Sequence, residues 1–324
     1  MNRKHLIVLA QALASVAMLA VLFRGLDYEA FVAQFRRLPA WFYLVSLAVV
    51  LGGQVLYAWR WRLLLVASGI NVSNAMVVRQ YFIGVFLNNF FPSTMGGDVA
   101  KIYYLGREHG YRPLAASVFL DRLLGLGLLS LIATLGLWIS PVTSPRLIAM
   151  RALVSAVTAV AFGAIALTAR GTGGLPQRVE RLGPRFVALA SHLQQFRLDM
   201  ASAAAQPAIL FKAFAVVLSY FCSLTVIYQL FIRLSAPTVP AFVPLLTVVT
   251  TTAVLSNIPV SLNGLGLREQ LHVLLLQPLG VPRELAVAIS LLLYAHSLVA
   301  SLCGLVMWMR SPAIPADAGE QVLA

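Results

Sequence analysis

The chain has 324 residues, of which 60% are apolar and only 11% charged, and its mean hydropathy is +0.86. A soluble globular domain carries about 25% charged residues, so this composition excludes a soluble fold and a disordered chain alike. The 24 Lys and Arg against 11 Asp and Glu give a formal net charge of +13. In so apolar a chain that excess points to membrane loops and anionic lipid headgroups, and not to nucleic acid.

Residues 6–23 form an uncharged apolar run behind Arg3 and Lys4. They predict a retained first membrane pass rather than a cleaved signal peptide. Asp27-Tyr28-Glu29 follows, and Phe31, Phe35 and Leu38 then suggest an interfacial helix. Residues 41–58 predict a second pass that ends in Trp59-Arg60-Trp61-Arg62. Tryptophan interleaved with arginine suits a headgroup-level anchor, with a cation–π contact to a ligand as the alternative. Residues 77–105 are apolar but interrupted by Pro, Gly and Asn. Further passes are predicted over 114–139 and 147–168, separated by Pro141 and Pro145. In the linker 170–206, Phe186, Leu189, Leu193, Phe196 and Met200 recur at steps of three and four. That periodicity predicts an amphipathic helix, lying either on the cytoplasmic membrane surface or against the bundle. Residues 208–234 are the next pass, 242–279 a second interrupted stretch, and 284–308 the last pass. Cys222 and Cys303 fall inside apolar runs and read as small core residues, with no disulfide or metal site.

The expected fold is therefore an all-α polytopic membrane protein with six full passes and two broken re-entrant hairpins. It forms one integral domain over residues 1–310, with halves at 41–139 and 208–309 and a short tail at 311–324. Loop arginines cluster on the side of the N-terminus, so both termini are expected in the cytoplasm.

The two interrupted stretches resemble each other. One runs Leu87-Asn88-Asn89-Phe90-Phe91-Pro92-Ser93-Thr94-Met95-Gly96-Gly97-Asp98. The other runs Leu255-Ser256-Asn257-Ile258-Pro259-Val260-Ser261-Leu262-Asn263-Gly264-Leu265-Gly266-Leu267-Arg268-Glu269. Asn89 and Asn257 stand 168 residues apart (257 − 89), about half the chain. Three passes lie between the stretches, so the second is expected upside down relative to the first, as in transporters built from inverted repeats. Pro92 and Pro259 interrupt helix, while Gly96, Gly97, Gly264 and Gly266 permit close turns. Asp98 is expected to cap a helix through Lys101, and Arg268-Glu269 to open its counterpart. The two half-helix N-termini, with Lys101 and Arg268, would then suit an anion such as a lipid phosphate. The plainer reading is a pair of capped kinks, but ionisable groups at membrane depth are costly and usually functional.

Asp121-Arg122, inside the pass at 114–139, completes the candidate substrate-binding set. Adjacent helix residues do not face each other, so the two need separate partners. Arg268 or Lys101 suits Asp121, and Asp98 or Glu269 suits Arg122; an interfacial pair with Arg122 snorkelling is the alternative. His296, beside Tyr294, reads as a structural histidine or a proton relay.

Taken in this order, the Trp59–Arg62 cluster, Asn88-Asn89-Phe90-Phe91-Pro92-Ser93, Gly96-Gly97-Asp98, Asp121-Arg122, Pro259, Gly264-Leu265-Gly266 and Arg268-Glu269 carry a resemblance. Over roughly residues 5–310 the chain resembles the lysylphosphatidylglycerol synthase transmembrane-region family, a flippase-like (UPF0104) group. Its size is also similar to members that accompany hopanoid biosynthesis. The resemblance implies a bacterial inner-membrane protein. In bifunctional members this region translocates an aminoacylated phospholipid that a separate soluble domain makes. The chain here stops shortly after Arg310, so synthase activity is not expected of it.

The resulting expectation is a non-enzymatic lipid translocator with no cofactor. Its substrate would be a phospholipid, an aminoacyl lipid, a hopanoid or a lipid-linked glycan. Its partners would be that lipid, anionic headgroups at the cytoplasmic face and, in addition, lipid-synthesis enzymes. Two alternatives stand beside it. One is a polyprenyl-phosphate-dependent glycosyltransferase using Asp27 and Glu29, although Asp27 also suits a helix cap. The other is an accessory subunit of a lipid-synthesis complex, docking through the helix at 186–200.

Overall fold

The structure is a computed structural model that describes residues 3–90, 96–139, 145–169, 194–201, 206–258 and 260–311. All regular structure among these residues is helical. Helices α1 (Arg3–Arg24), α2 (Tyr28–Arg36) and α3 (Ala40–Ala67) are followed by two shorter ones, α4 (Asn74–Phe90) and α5 (Gly96–His109). Long helices α6 (Tyr111–Ile139), α7 (Pro145–Ala169) and α8 (Pro207–Ser235) come next. A second short pair, α9 (Phe242–Leu255) and α10 (Leu267–Leu276), precedes the last long helix, α11 (Arg283–Met309).

Five of these helices are long and apolar enough to cross a membrane: α3, α6, α8, α11 and the Leu147–Thr168 part of α7. The expected first pass is less simple. The chain bends by 93° between α1 and α2, and the two make a sixth span only when taken as one. Asp27 causes the turn by capping α2, accepting a hydrogen bond from the Ala30 N–H at 3.0 Å. The expected apolar face of α2 packs inward, with Phe31 and Phe35 on the main core and Leu38 buried. Of the expected helix in the linker, residues 194–201 are described and helical. Phe196 and Met200 pack there against Leu120 and Leu124 of α6, and Arg112 pairs with Asp199 at 3.0 Å. This part lies on the bundle; Phe186, Leu189 and Leu193 fall outside the described residues.

The repeat is visible as architecture. A shift of 168 residues carries α8, α9, α10 and α11 onto α3, α4, α5 and α6 within a few residues at each end. The packing is reciprocal: α4 lies against α11, α9 against α6, and α3 against α8. Contacts fix the directions. On α3 and α8, Phe42 meets Phe231 while Tyr57 meets Tyr220, so these two helices run antiparallel. The two halves are thus inverted relative to each other. The short helices cannot span a hydrocarbon core of about 30 Å at 1.5 Å per residue. Each short pair therefore doubles back without crossing, and the break of the second pair carries the exposed residues Asn257, Ile258, Val260 and Asn263.

Two glycines 168 residues apart let the hairpins seat. Gly304 on α11 lies against the Phe82 carbonyl of α4, and Gly136 on α6 lies against Thr247 of α9. A Cβ at either would overlap its neighbour, as expected where small residues let membrane helices approach closely. Gly304→Leu is therefore expected to cost about 2 kcal/mol of stability. Thermal unfolding in detergent should show the loss, with Gly52→Leu, which faces open space, unchanged.

Candidate functional site

Each hairpin carries a buried polar cluster. In the first half the guanidinium of Arg60 on α3 grips Asp121 on α6. Arg60 Nε donates to Oδ1 at 2.9 Å and Nη2 donates to Oδ2 at 3.0 Å, a two-pronged pair between buried side chains. Nη2 also lies 3.3 Å from the backbone oxygen of Asp121. Gly125, one turn along α6, makes room for the guanidinium, since a Cβ there would crowd Arg60. Asp98 on α5 faces Lys101 at 3.6 Å and accepts a hydrogen bond from Arg122. The ammonium of Lys101 stands over the rings of Tyr81, at 4.1 Å, and Trp61, at 5.4 Å.

This arrangement corrects three expectations. Asp121 pairs with Arg60, and not with Arg268 or Lys101. The Trp59–Arg62 cluster is not an anchor as a whole. Successive helix residues turn by about 100°, so Trp59 is exposed while Arg60 and Trp61 are buried, and Arg62 donates to the Val72 carbonyl at 2.9 Å. Asp98 does not cap α5. Asn88 does, accepting from the Gly97 N–H at 2.9 Å, which leaves Asp98 free to take Lys101 and Arg122. The expected pairing of Arg122 with Asp98 is present.

In the second half, Glu269 is fully buried and closes the start of α10. Its Oε2 accepts from the Gly266 N–H at 2.6 Å, and its Oε1 accepts from Ser290 at 3.1 Å. Arg268 Nε and Nη2 reach the same Oε1 at 3.3 and 3.2 Å, and the guanidinium lies over the Tyr294 ring at 4.6 Å. His272 is held on both sides, by the Arg268 carbonyl at 2.7 Å and by the Tyr228 hydroxyl. The N-terminus of α10 is therefore filled by the protein's own carboxylate and is not the open anion site expected of it.

The clusters correspond. Glu269, Ser290 and Tyr228 stand 168 residues after Lys101, Arg122 and Arg60. These positions pair differently in the two halves, since Glu269 takes Ser290 directly while Lys101 and Arg122 both face Asp98, and the charge at the hairpin position is reversed. Between the clusters the hairpin tips touch, with Asn263 hydrogen-bonded to Asn89 and Asn89 to Ser301. Asn263, at φ 49°, with Gly264 and Gly266 at φ 75° and 85°, forms the left-handed turn that brings the second tip there.

Of the remaining candidates, Gly96 begins α5, and Gly97 lets it cross α4 at Gly84. Asn257 is not in the site: it is exposed and donates to the Ala253 carbonyl at 2.7 Å. Pro92, Ser93 and Pro259 lie outside the described residues. His296 is buried, and its Nδ1 has no hydrogen-bond partner among the described residues. Sequence reasoning missed Arg60, Tyr81, Tyr228, His272 and the role of Asn263. The 168-residue shift, applied to Arg60, points to Tyr228; nothing in the sequence points to Tyr81.

Two opposed hairpins of short helices between long apolar ones, with ion pairs beside their breaks, define a polytopic integral membrane protein built as an inverted repeat. The chain belongs to the lysylphosphatidylglycerol synthase transmembrane-region family, whose sequence profile matches residues 7–304. It is also similar to a UPF0104 membrane protein of Pyrococcus horikoshii, at 32% identity over 87 residues. That match covers 26% of this chain and 26% of the relative.

Because Arg60 and Asp121 are both buried, removing one partner strands the other. Arg60→Gln is expected to cost about 3–5 kcal/mol. Adding Asp121→Asn should recover part of that loss, as thermal unfolding of the single and double variants would show.

Proposed function

We propose that this protein moves a lipid with an ionic headgroup between the two leaflets of a bacterial inner membrane, along the path where its hairpins meet. The observation that carries this reading is the contact of Asn89 with Asn263, flanked by the buried clusters of Asp98 and Glu269. Non-helical backbone at membrane depth is tolerated only where it is buried in protein or lines a watery cavity. Charged groups are kept there when a substrate or ion needs them. An inverted repeat supplies two arrangements of related energy, opening to opposite sides.

The substrate class includes phospholipids, aminoacyl lipids, hopanoids and lipid-linked glycans. Both termini face the cytoplasm in this reading, where loop arginines such as Arg107 meet anionic headgroups. Lipid-synthesis enzymes are the partners that would supply the substrate. The reading is non-enzymatic. The carboxylates that would serve a transferase, Asp27 and Glu29, are exposed, and Asp27 is engaged as the cap of α2.

Reconstituted protein should speed the exposure of a labelled lipid on the opposite leaflet. Asp98→Asn should slow it about tenfold, the effect of about 1.4 kcal/mol on a barrier, while Asp27→Asn and Glu29→Gln leave it unchanged. Exchange no faster than in empty liposomes, across phospholipid, aminoacyl-lipid, hopanoid and glycan-lipid probes, would overturn the proposal.

A further inference from the structure

A cavity of about 190 Å³, lined by apolar side chains with a few polar ones among them, lies between α3, α8, α9, α10 and α11, beside the second hairpin. Gln54, Tyr220 and Ser297, which line it, sit near the middles of three spanning helices. The cavity is therefore at mid-depth in the bundle, where polar lining is expensive and lipid-facing polarity is avoided. Arg268 and Thr252 also line it.

The donors of this cavity are not used up by the protein. Thr252 is 2% exposed, and its hydroxyl has no hydrogen-bond partner among the described residues. A buried hydroxyl left unpaired costs about 1–3 kcal/mol, which a ligand would offset. The side chains of Gln54 and Ser297 likewise make no hydrogen bond among the described residues, and Arg268 commits only Nε and Nη2, leaving Nη1. Glu269 does not cancel Arg268 alone. Its charge is shared with the Ser290 hydroxyl and with the Gly266 N–H at the positive end of α10. His272 offers nothing further, since both ring nitrogens are engaged.

We infer that this cavity binds a phosphate group, with Arg268 supplying the charge and Thr252, Gln54 and Ser297 donating hydrogen bonds. A volume of about 190 Å³ has room for a phosphate group and its ester carbon. The inference deepens the translocation reading by naming the part of the substrate recognised. It rests on that reading only for the ligand's being a lipid.

Calorimetric titration of the purified protein in neutral detergent tests this, with dihexanoyl phosphatidic acid, dihexanoylglycerol and inorganic phosphate as probes. The phosphatidic acid should bind at least about tenfold more tightly than the uncharged dihexanoylglycerol. Thr252→Val and Gln54→Leu should each weaken it about tenfold, the loss of one hydrogen bond to a charged group. Both variants keep the Arg268–Glu269 pair, and Thr252→Val should not lower the thermal stability of the empty protein, because the hydroxyl it removes is unpaired. Ser297→Phe should abolish binding by filling the cavity. Inorganic phosphate that binds with the same dependence on Thr252 and Gln54, while phosphatidic acid does not, would keep the site and make a free anion its ligand. Equal affinity for the two lipids, or unchanged affinity in both polar variants, overturns the inference. Binding without translocation would retain the site and remove the translocator, whereas translocation with unchanged affinity in the variants would do the reverse.

Discussion

The hydrocarbon core of a membrane offers backbone groups no water, and the rest of this fold depends on that constraint. Every N–H and C=O placed there must find a partner within the protein. Long helices meet the demand by themselves; the two hairpins, each made of helices too short to cross, do not. Their broken ends persist because they are met by each other and by the protein's own side chains. Asn88 takes the Gly97 N–H, Glu269 takes the Gly266 N–H, and Asn89 joins Asn263 across the gap. Each of these side chains sits at a point where a helix begins or a turn is made, so these polar contacts follow from the breaks in the helices.

Buried charge follows the same economy. A lone ion in this interior is far costlier than a pair, and a pair contributes little net stability compared with apolar packing. Arg60 and Asp121 therefore do not explain why the protein is stable. They hold α3 to α6 beside the first hairpin and fix one geometry there. At the equivalent positions in the second half stand Tyr228 and Ile289, and Tyr228 hydrogen-bonds instead to His272 without formal charge. The repeat has kept the positions and changed the chemistry. Lys101 and Glu269, 168 residues apart, are opposite charges in equivalent settings. A ligand passing from one hairpin to the other would meet a different electrostatic surface in each.

Much of this was legible in the sequence, and the failures have a common cause. Hydropathy locates the long helices because apolar length is a one-dimensional property. The repeat appears because its Asn, Pro and Gly positions recur at a fixed interval. Pairings are different: Asp121 had Lys101 and Arg268 as plausible partners by depth, and Arg60 looked like the end of a pass. Its depth became clear only once α3 was seen to run on to Ala67, leaving Arg60 more than a turn from the end. Asn257 is the aligned match of Asn89, yet the contact is made by Asn263, six residues further along the longer second break. Spacing shows which segments correspond; it does not show which side chain reaches.

The halves also differ in what surrounds their seams. Where α4 meets α11, Gly304 is filled by Phe82, and the rings of Phe86 and Trp308 stand 5.6 Å apart. Where α9 meets α6, Gly136 and Thr247 instead border an apolar groove of about 410 Å³ that also reaches Leu147 of α7 and Leu275 of α10. Both seams are closely packed at their glycines, but aromatic rings flank one and an apolar groove borders the other. Packed cores shift between discrete arrangements rather than deforming smoothly. An inverted repeat whose equivalent seams have different surroundings has two unlike arrangements of one architecture within reach.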